Sequence, residues 1–201
     1  MNYYNLYDRL KQLGLPQFGS YITASQYFKA YQLVDKYAGT STSFLDWGAG
    51  NGHFTYFLLD KGFNVTSFSI HDDCPLINHL TEKFPNTHRH IHDPNGFATL
   101  PFEDGAFDFI TSIGVLEHVR ETGGNEIDSL KEIYRILKPN GIFLCYHLPN
   151  KYSWNETISK YISSKHNHTY KYSKHNIKNL IAEVGFNMLE HGRYGLFPRT
   201  I

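Results

Sequence analysis

Asp46 and the three glycines that follow it are the residues of this chain best placed to do chemistry. They stand in Phe44-Leu45-Asp46-Trp47-Gly48-Ala49-Gly50-Asn51-Gly52, an apolar pair running into an acid and then a glycine turn. Glycine lets a backbone approach a ligand closely, because it carries no Cβ and tolerates positive φ. His53 to Lys61 follow with Phe54, Phe57 and Leu58 at the i, i+3, i+4 spacing of a helix face, so the turn opens a helix. Strand, glycine turn and helix in that order suit a nucleotide-like ligand. An ordinary tight turn between a strand and a helix has the same local sequence.

His88, His90 and His92 form a second cluster. They alternate along a predicted strand and share a face, with Asp93 next. Imidazoles on one flat strand do not close a tetrahedral shell without a ligand from elsewhere, so no metal is expected there.

The elements that must position these residues alternate in type. Tyr3 to Leu13 and Ala24 to Tyr37 read as helices, separated by Gly14, Pro16 and Gly19. After the glycine turn and its helix, strands are expected at Phe63 to Ile70, Thr87 to His92 and Phe107 to Ile113, with a helix from Pro75 between the first two. Asn125 to Leu137 carries one apolar stripe of Ile127, Leu130, Ile133, Tyr134 and Leu137. Lys138-Pro139-Asn140-Gly141 then turns the chain into Ile142 to Leu148, an apolar run typical of a strand buried on both faces. A last helix runs from a Ser173 cap to Gly185, and Phe186 to His191 reads as one more strand. Such alternation implies an α/β three-layer sandwich with its ligand at the carboxyl ends of the strands.

The 201 residues fit one domain with its own core. Lys plus Arg and Asp plus Glu each total 19, so there is no excess of positive charge to meet a phosphate backbone, and nucleic acid is not an expected partner. No apolar run is long enough for a membrane span, and the N-terminus lacks the apolar stretch of a signal peptide. Cys74 and Cys145, in unrelated contexts, read as reduced thiols of a cytoplasmic protein. A homodimer is compatible with this composition.

Three blocks carry a resemblance: FLDWGAGNG at Phe44 to Gly52, LPFEDGAFDFITSIGVLEHV at Leu100 to Val119, and LKEIYRILKPNGIFLCYHLPN at Leu130 to Asn150. In this order and spacing they resemble the class I S-adenosylmethionine-dependent methyltransferases, over roughly Thr42 to Phe186. A NAD-binding Rossmann protein would need glycine three places after Gly50, where this chain has His53.

The resemblance implies a Rossmann-like, mostly parallel sheet of six to seven strands. Only 16 residues follow Gly185, and Pro198 disfavours a central strand, so the last strand is expected to be short or missing. A single methyltransferase domain over 1–201 is implied, with a helical cap at 1–41 and a cofactor-binding core at 42–149. Residues 150–172 are long for a connection and rich in aromatic and histidine side chains, which suits an acceptor lid, and 173–201 would hold the last helix and strand.

The cofactor implied is S-adenosylmethionine. Gly48, Ala49 and Gly50 would face its methionine part, while Asp46 orders the turn or contacts the amino acid moiety. Asp93 would reach the adenine amino group, and Ile113 and Gly114 would line the other side. The family usually places an acid at the end of the second strand to hold both ribose hydroxyls. Here that position is Ser69, followed by Ile70. A carboxylate there gives charge-assisted bonds of roughly 1.5–3 kcal/mol against about 1 for a neutral one. Binding weak for the family is therefore expected unless Asp72, Asp73 or a water-bridged Ser69 compensates.

Methyl transfer to a hydroxyl needs a base, and two histidines are candidates. His118 follows the fourth strand, and His168 lies where many small-molecule members of the family bind their acceptors. The expected function is S-adenosylmethionine-dependent methylation of a small-molecule acceptor, with oxygen slightly preferred. The rival reading, motivated by Ser69, is a methyltransferase-like binding or scaffolding protein that has lost turnover.

Overall fold

The apolar strand β1 (Ser43–Trp47) lies at the centre of a parallel sheet because both of its faces are covered. Its neighbours are β2 (Asn64–Ser69) and β4 (Phe107–Ile113), and outside them run β3 (His88–His92) and β5 (Leu137–Tyr146), giving the order β3-β2-β1-β4-β5. The computed structural model describes residues 3–72, 74–96, 99–152 and 169–193. Among them are helices α1 (Tyr3–Gln12), α2 (Tyr21–Tyr37), α3 (His53–Asp60), α4 (Pro75–Lys83), α5 (Glu126–Ile136) and α6 (Lys174–Val184).

Alternation along the strands divides the core in two. Phe44 and Phe109 face α1, α2 and α3, packing with Phe57, Tyr31 and Val34. Leu45, Trp47 and Ile110 face the other way, against Leu130, Ile133 and Ile136 of α5 and Leu180 and Val184 of α6. The three-layer sandwich expected from the sequence is therefore present. No helix of the described residues is long and apolar enough to cross a membrane.

Several boundaries shift for identifiable reasons. α2 begins at Tyr21 rather than Ala24 because Ser20 caps it, accepting from the Thr23 N–H while the Thr23 hydroxyl accepts in return from the Ser20 N–H. The Lys138-Pro139-Asn140-Gly141 turn sits inside β5: Leu137 already pairs with Phe107, and pairing resumes at Ile142 with Phe109. Residues 138–141 thus bulge out of the ladder, with Asn140 at φ 63°. Ile142 to Cys145 are only partly buried, because β5 is an edge strand among the described residues.

Among the described residues five strands form, against six to seven expected, and Phe186 to His191 pairs with none of them. Gly185 turns the chain in a left-handed cap at φ 102°. Phe186 then packs edge-on to Tyr134 and near Phe143, and Glu190 accepts from the Lys36 ammonium and the Tyr37 hydroxyl. Side-chain anchors on α5 and α2 take the place of a backbone ladder.

Candidate functional site

The glycine turn leaves β1 after Trp47 and is tied to its neighbours on both sides. The N–H groups of Gly48 and Ala49 both donate to the Phe68 carbonyl at 2.9 Å, fixing the turn to the end of β2. Gly48 adopts φ 76°, and a Cβ built on it would lie 2.3 Å from Val115 Cγ2, just past β4. The turn and the end of β4 therefore meet with no room for a side chain. Gly50, at φ 52°, is exposed, and a Cβ there would meet nothing nearer than the Gly48 carbonyl at 3.8 Å.

Asp46 lies beneath this turn with 1% of its surface exposed. Its carboxylate accepts from the Thr55 hydroxyl on α3 at 2.6 Å and from the Thr111 hydroxyl on β4 at 2.9 Å. Burial pushes its pKa up to about 6, and the two threonines offset only part of that. Asp46 is thus a buried bolt joining three elements. Asp46→Ala, which strands the Thr55 hydroxyl and leaves Thr111 only its longer bond to the Leu45 carbonyl at 3.3 Å, should cost about 2–3 kcal/mol in denaturant unfolding, and Asp46→Asn about 1. An Asp46→Ala protein with unchanged stability but no affinity for the cofactor would instead make the carboxylate a ligand contact.

At the end of β2, Ser69 is buried and its hydroxyl donates to the His71 carbonyl at 2.6 Å. Ile70 is half-buried beside it. The Ser69 carbonyl accepts from the Asp93 N–H, and the Asp93 carboxylate accepts from the Asn95 N–H at 2.9 Å, so the ends of β2 and β3 lie side by side. Asp72 is largely exposed, 3.9 Å from His92 Nδ1, and Asp73 lies outside the described residues. Ile113 ends β4, and the N–H of Gly114 donates to the Tyr146 carbonyl at the end of β5.

The structure thus gathers Asp46, Gly48, Ala49, Gly50, Ile113 and Gly114 around the ends of β1 and β4, with Ser69, Ile70 and Asp93 one and two strands away. Of the two candidate bases, His118 ends a short 3₁₀ turn (Leu116–His118) and is about half exposed. Its Nδ1 lies 2.8 Å from Glu121 Oε2. His168, and with it the middle of the expected lid, lies outside the described residues. The ends of that stretch are joined. Asn150 and Tyr172 form a backbone bridge, with Lys151 N donating to the Tyr172 carbonyl and Tyr172 N to the Pro149 carbonyl.

Residues 21–191 match the methyltransferase domain family. The chain belongs to the class I S-adenosylmethionine-dependent methyltransferases. This methyltransferase domain is 25% identical over 209 residues to the sterol 24-C-methyltransferase erg6 of Schizosaccharomyces pombe, covering 94% of this chain and 53% of that protein. It spans about half the length of the curated relatives it matches. The 1,6-didemethyltoxoflavin-N1-methyltransferase of Burkholderia thailandensis, solved with 1,6-didemethyltoxoflavin and S-adenosylhomocysteine, is similar at a TM-score of 0.66 and 19% identity. That match covers 98% of this chain and 83% of the other. A possible histamine N-methyltransferase from Thermotoga maritima gives a TM-score of 0.61 at 18% identity, covering 92% of this chain and 82% of the other. At these identities the solved structures bear on the fold alone.

The glycine turn of the methyltransferase domain presents exposed backbone at Gly50 above a fixed acid, and the end of β2 offers the Ser69 hydroxyl with the carboxylates of Asp72 and Asp93 on the neighbouring segments. Three features were not legible in the sequence. His53, read there only as a missing glycine, is buried among Phe18, Tyr27 and Phe54, with Nδ1 3.2 Å from the Tyr31 hydroxyl. Tyr27 also stacks on His147, which has φ 73° just after β5. Glu126, 2% exposed, accepts from the Tyr172 hydroxyl and from Arg120 Nε, securing the base of the 150–172 stretch to α5. All three depend on contacts between distant segments, which no local pattern announces.

Proposed function

We propose that this protein transfers a methyl group from S-adenosylmethionine to a small-molecule acceptor, with a hydroxyl the preferred acceptor. The observation that carries the reading is the close meeting of Gly48 and Val115 at the ends of β1 and β4, within a chain that matches the methyltransferase domain over residues 21–191. In this reading Gly48, Ala49 and Gly50 hold the methionine part, and Asp46 fixes the turn under them. Ser69 and Ile70 serve the ribose, Asp93 the adenine amino group, and Ile113 and Gly114 the opposite side.

When bound, S-adenosylmethionine supplies a methyl group on a sulfonium, already activated for in-line displacement. The chain contributes alignment of the acceptor and removal of its proton. His118 is one base in this scheme. A carboxylate can only accept, so His118 Nδ1–H donates to Glu121, and in the neutral ring the lone pair lies on Nε2. His168 is the other.

The domain works as one unit in the cytoplasm, with 1–41 as a cap, 42–149 as the core, 150–172 as an acceptor lid and 173–201 as the closing segment. The cap reading is supported by the Tyr146 hydroxyl, which donates to the Gln26 carbonyl at 2.9 Å, and by Tyr27 against His147. A second reading, a binding protein without turnover, is favoured by the serine at position 69.

Incubation with methyl-labelled S-adenosylmethionine and a panel of hydroxylated, amine and carbon acceptors tests the proposal. Label should pass to a hydroxylated small molecule. In His118→Ala or His168→Ala, turnover should fall by about 100-fold with cofactor binding kept. Full turnover in both variants removes the histidines from the mechanism. The absence of any label transfer, alongside normal binding of S-adenosylhomocysteine, favours the binding protein.

A further inference from the structure

An arginine with most of its hydrogen-bonding capacity unused stands at a cavity of about 330 Å³. The cavity is bounded by Arg120, by Glu126 at the start of α5, by Tyr170 and Tyr172, and by Asn176 and Glu183 on one face of α6. Its size suits a small organic molecule. The Arg120 guanidinium is held in two ways. Its Nε donates to Glu126 Oε2 at 2.7 Å, and its carbon lies 4.8 Å from the centre of the Tyr170 ring. The fork of Nη1 and Nη2 meets no acceptor among the described residues, and the side chain is about half exposed. A ligand arriving from solvent therefore finds this fork already oriented.

The unused groups around the cavity decide what that ligand must offer. Glu126 is buried, and each of its oxygens already accepts, one from Tyr172 and one from Arg120. It balances the arginine and has little left for a ligand. The Asn176 carbonyl oxygen accepts from the Ser173 N–H and hydroxyl, which leaves the NH2 end of the amide unused. The unused groups of Arg120 and Asn176 are thus donors, and they call for a ligand that accepts. A carboxylate matches an arginine fork with its two oxygens. Charge narrows the class further. Two cations, Arg120 and Lys171, stand against two acids, Glu126 and Glu183, so no surplus exists for a doubly charged phosphate.

The cavity lies close to the cofactor end of the sheet. Buried Glu117 is near both: a Cβ on Gly114 would stand 3.7 Å from its Oε1. Its charge also adds to burial and Glu126 in raising the Tyr172 pKa. Arg120 itself follows His118 by two positions. We infer that the Arg120 fork binds a carboxylate of the methyl acceptor in this cavity, so that the substrates are hydroxylated carboxylic acids. The inference rests on the small-molecule reading given above and names its substrate class. Arg120 is then a specificity-determining residue, with its plane held by Glu126 and Tyr170.

Salicylate, mandelate, tropate and para-hydroxyphenylacetate, each paired with its primary amide, test this with methyl-labelled S-adenosylmethionine. For at least one pair kcat/KM should favour the acid by about ten-fold or more, as a charge-assisted pair gives. Arg120→Lys keeps a cation beside Glu126 but has no fork. It should fold normally and lose the preference through a higher KM for the acid. Glu183→Gln removes a like charge and should lower that KM about two-fold, a change that a merely structural Arg120 would not produce. Independently of turnover, the Arg120 guanidinium N–H signals should shift when an acid, and not its amide, is added at millimolar concentration. Equal rates within every pair, a preference intact in Arg120→Lys, or no shift with any acid would overturn the carboxylate site while leaving methyl transfer in place. Signals that shift with the acids while no label moves would support the site and tell against the transfer reading.

Discussion

A Gly48→Ala protein is expected to bind S-adenosylhomocysteine at least about ten-fold more weakly than the wild type, and to melt several degrees lower. Two costs add. Alanine at φ 76° pays roughly 1–2 kcal/mol for the left-handed conformation. Its Cβ would also stand 2.3 Å from Val115 Cγ2, so either the turn or the segment after β4 must move. The turn is pinned at the Phe68 carbonyl by two hydrogen bonds, so displacement pulls on β2 as well. The double variant Gly48→Ala with Val115→Ala separates the costs. Removing the isopropyl group should recover the part due to overlap and leave the conformational part. A single variant with wild-type affinity and melting temperature would show that this close approach is dispensable.

The second large effect is acid sensitivity. Burial lowers the folded His53 pKa to about 3 and that of His88 to about 4, against 6.5 for an ordinary histidine. As pH falls below 6.5 the unfolded chain takes up protons that the folded chain refuses, and stability drops. Asp46 opposes this. Its folded pKa near 6 lies above the ordinary 3.8, so the folded state gains relative stability as pH falls from 6 toward 4. Taking about 1.4 kcal/mol per pH unit for each group, the two histidines outweigh the acid by on the order of 4 kcal/mol between pH 6.5 and 4. Melting temperatures should fall by on the order of 10 °C over that interval. His53→Phe should remove most of the net slope, because the remaining His88 contribution is nearly cancelled by Asp46, at the expense of leaving the Tyr31 hydroxyl without its ring partner. A melting temperature that stays flat to pH 4.5 contradicts the assignment.

What the sequence disclosed and what it concealed divide along contact distance. The glycine turn, the α5 stripe and the apolar strands are local patterns of period 3.6 or 2, and each became the element expected. Start points depended on caps, and Ser20 placed α2 three residues earlier than its apolar pattern alone implied. The apolar run of β5 promised burial on both faces, but hydrophobicity along a strand does not report whether a neighbour exists beyond its edge. Phe186 to His191 has strand-like composition, yet Phe186 and Glu190 found side-chain partners on α5, β5 and α2. The glycine turn and the acid before it could be read from sequence because backbone geometry constrains them together. The partners of Asp46, Thr55 and Thr111, lie 9 and 65 positions away and carry no motif.

The bridge between Asn150 and Tyr172 has a consequence for how this chain tolerates change. With the base of that stretch closed by backbone hydrogen bonds and by the Tyr172 hydroxyl on Glu126, the sheet does not register what the chain does in between. Doubling the length of a flexible closed segment costs only about 0.6 kcal/mol in closure entropy. The bridge therefore acts as a socket, into which insertions, deletions and wholesale replacements are received without retuning the core. A change of length or sequence between these two anchors leaves the glycine turn and its buried acid untouched.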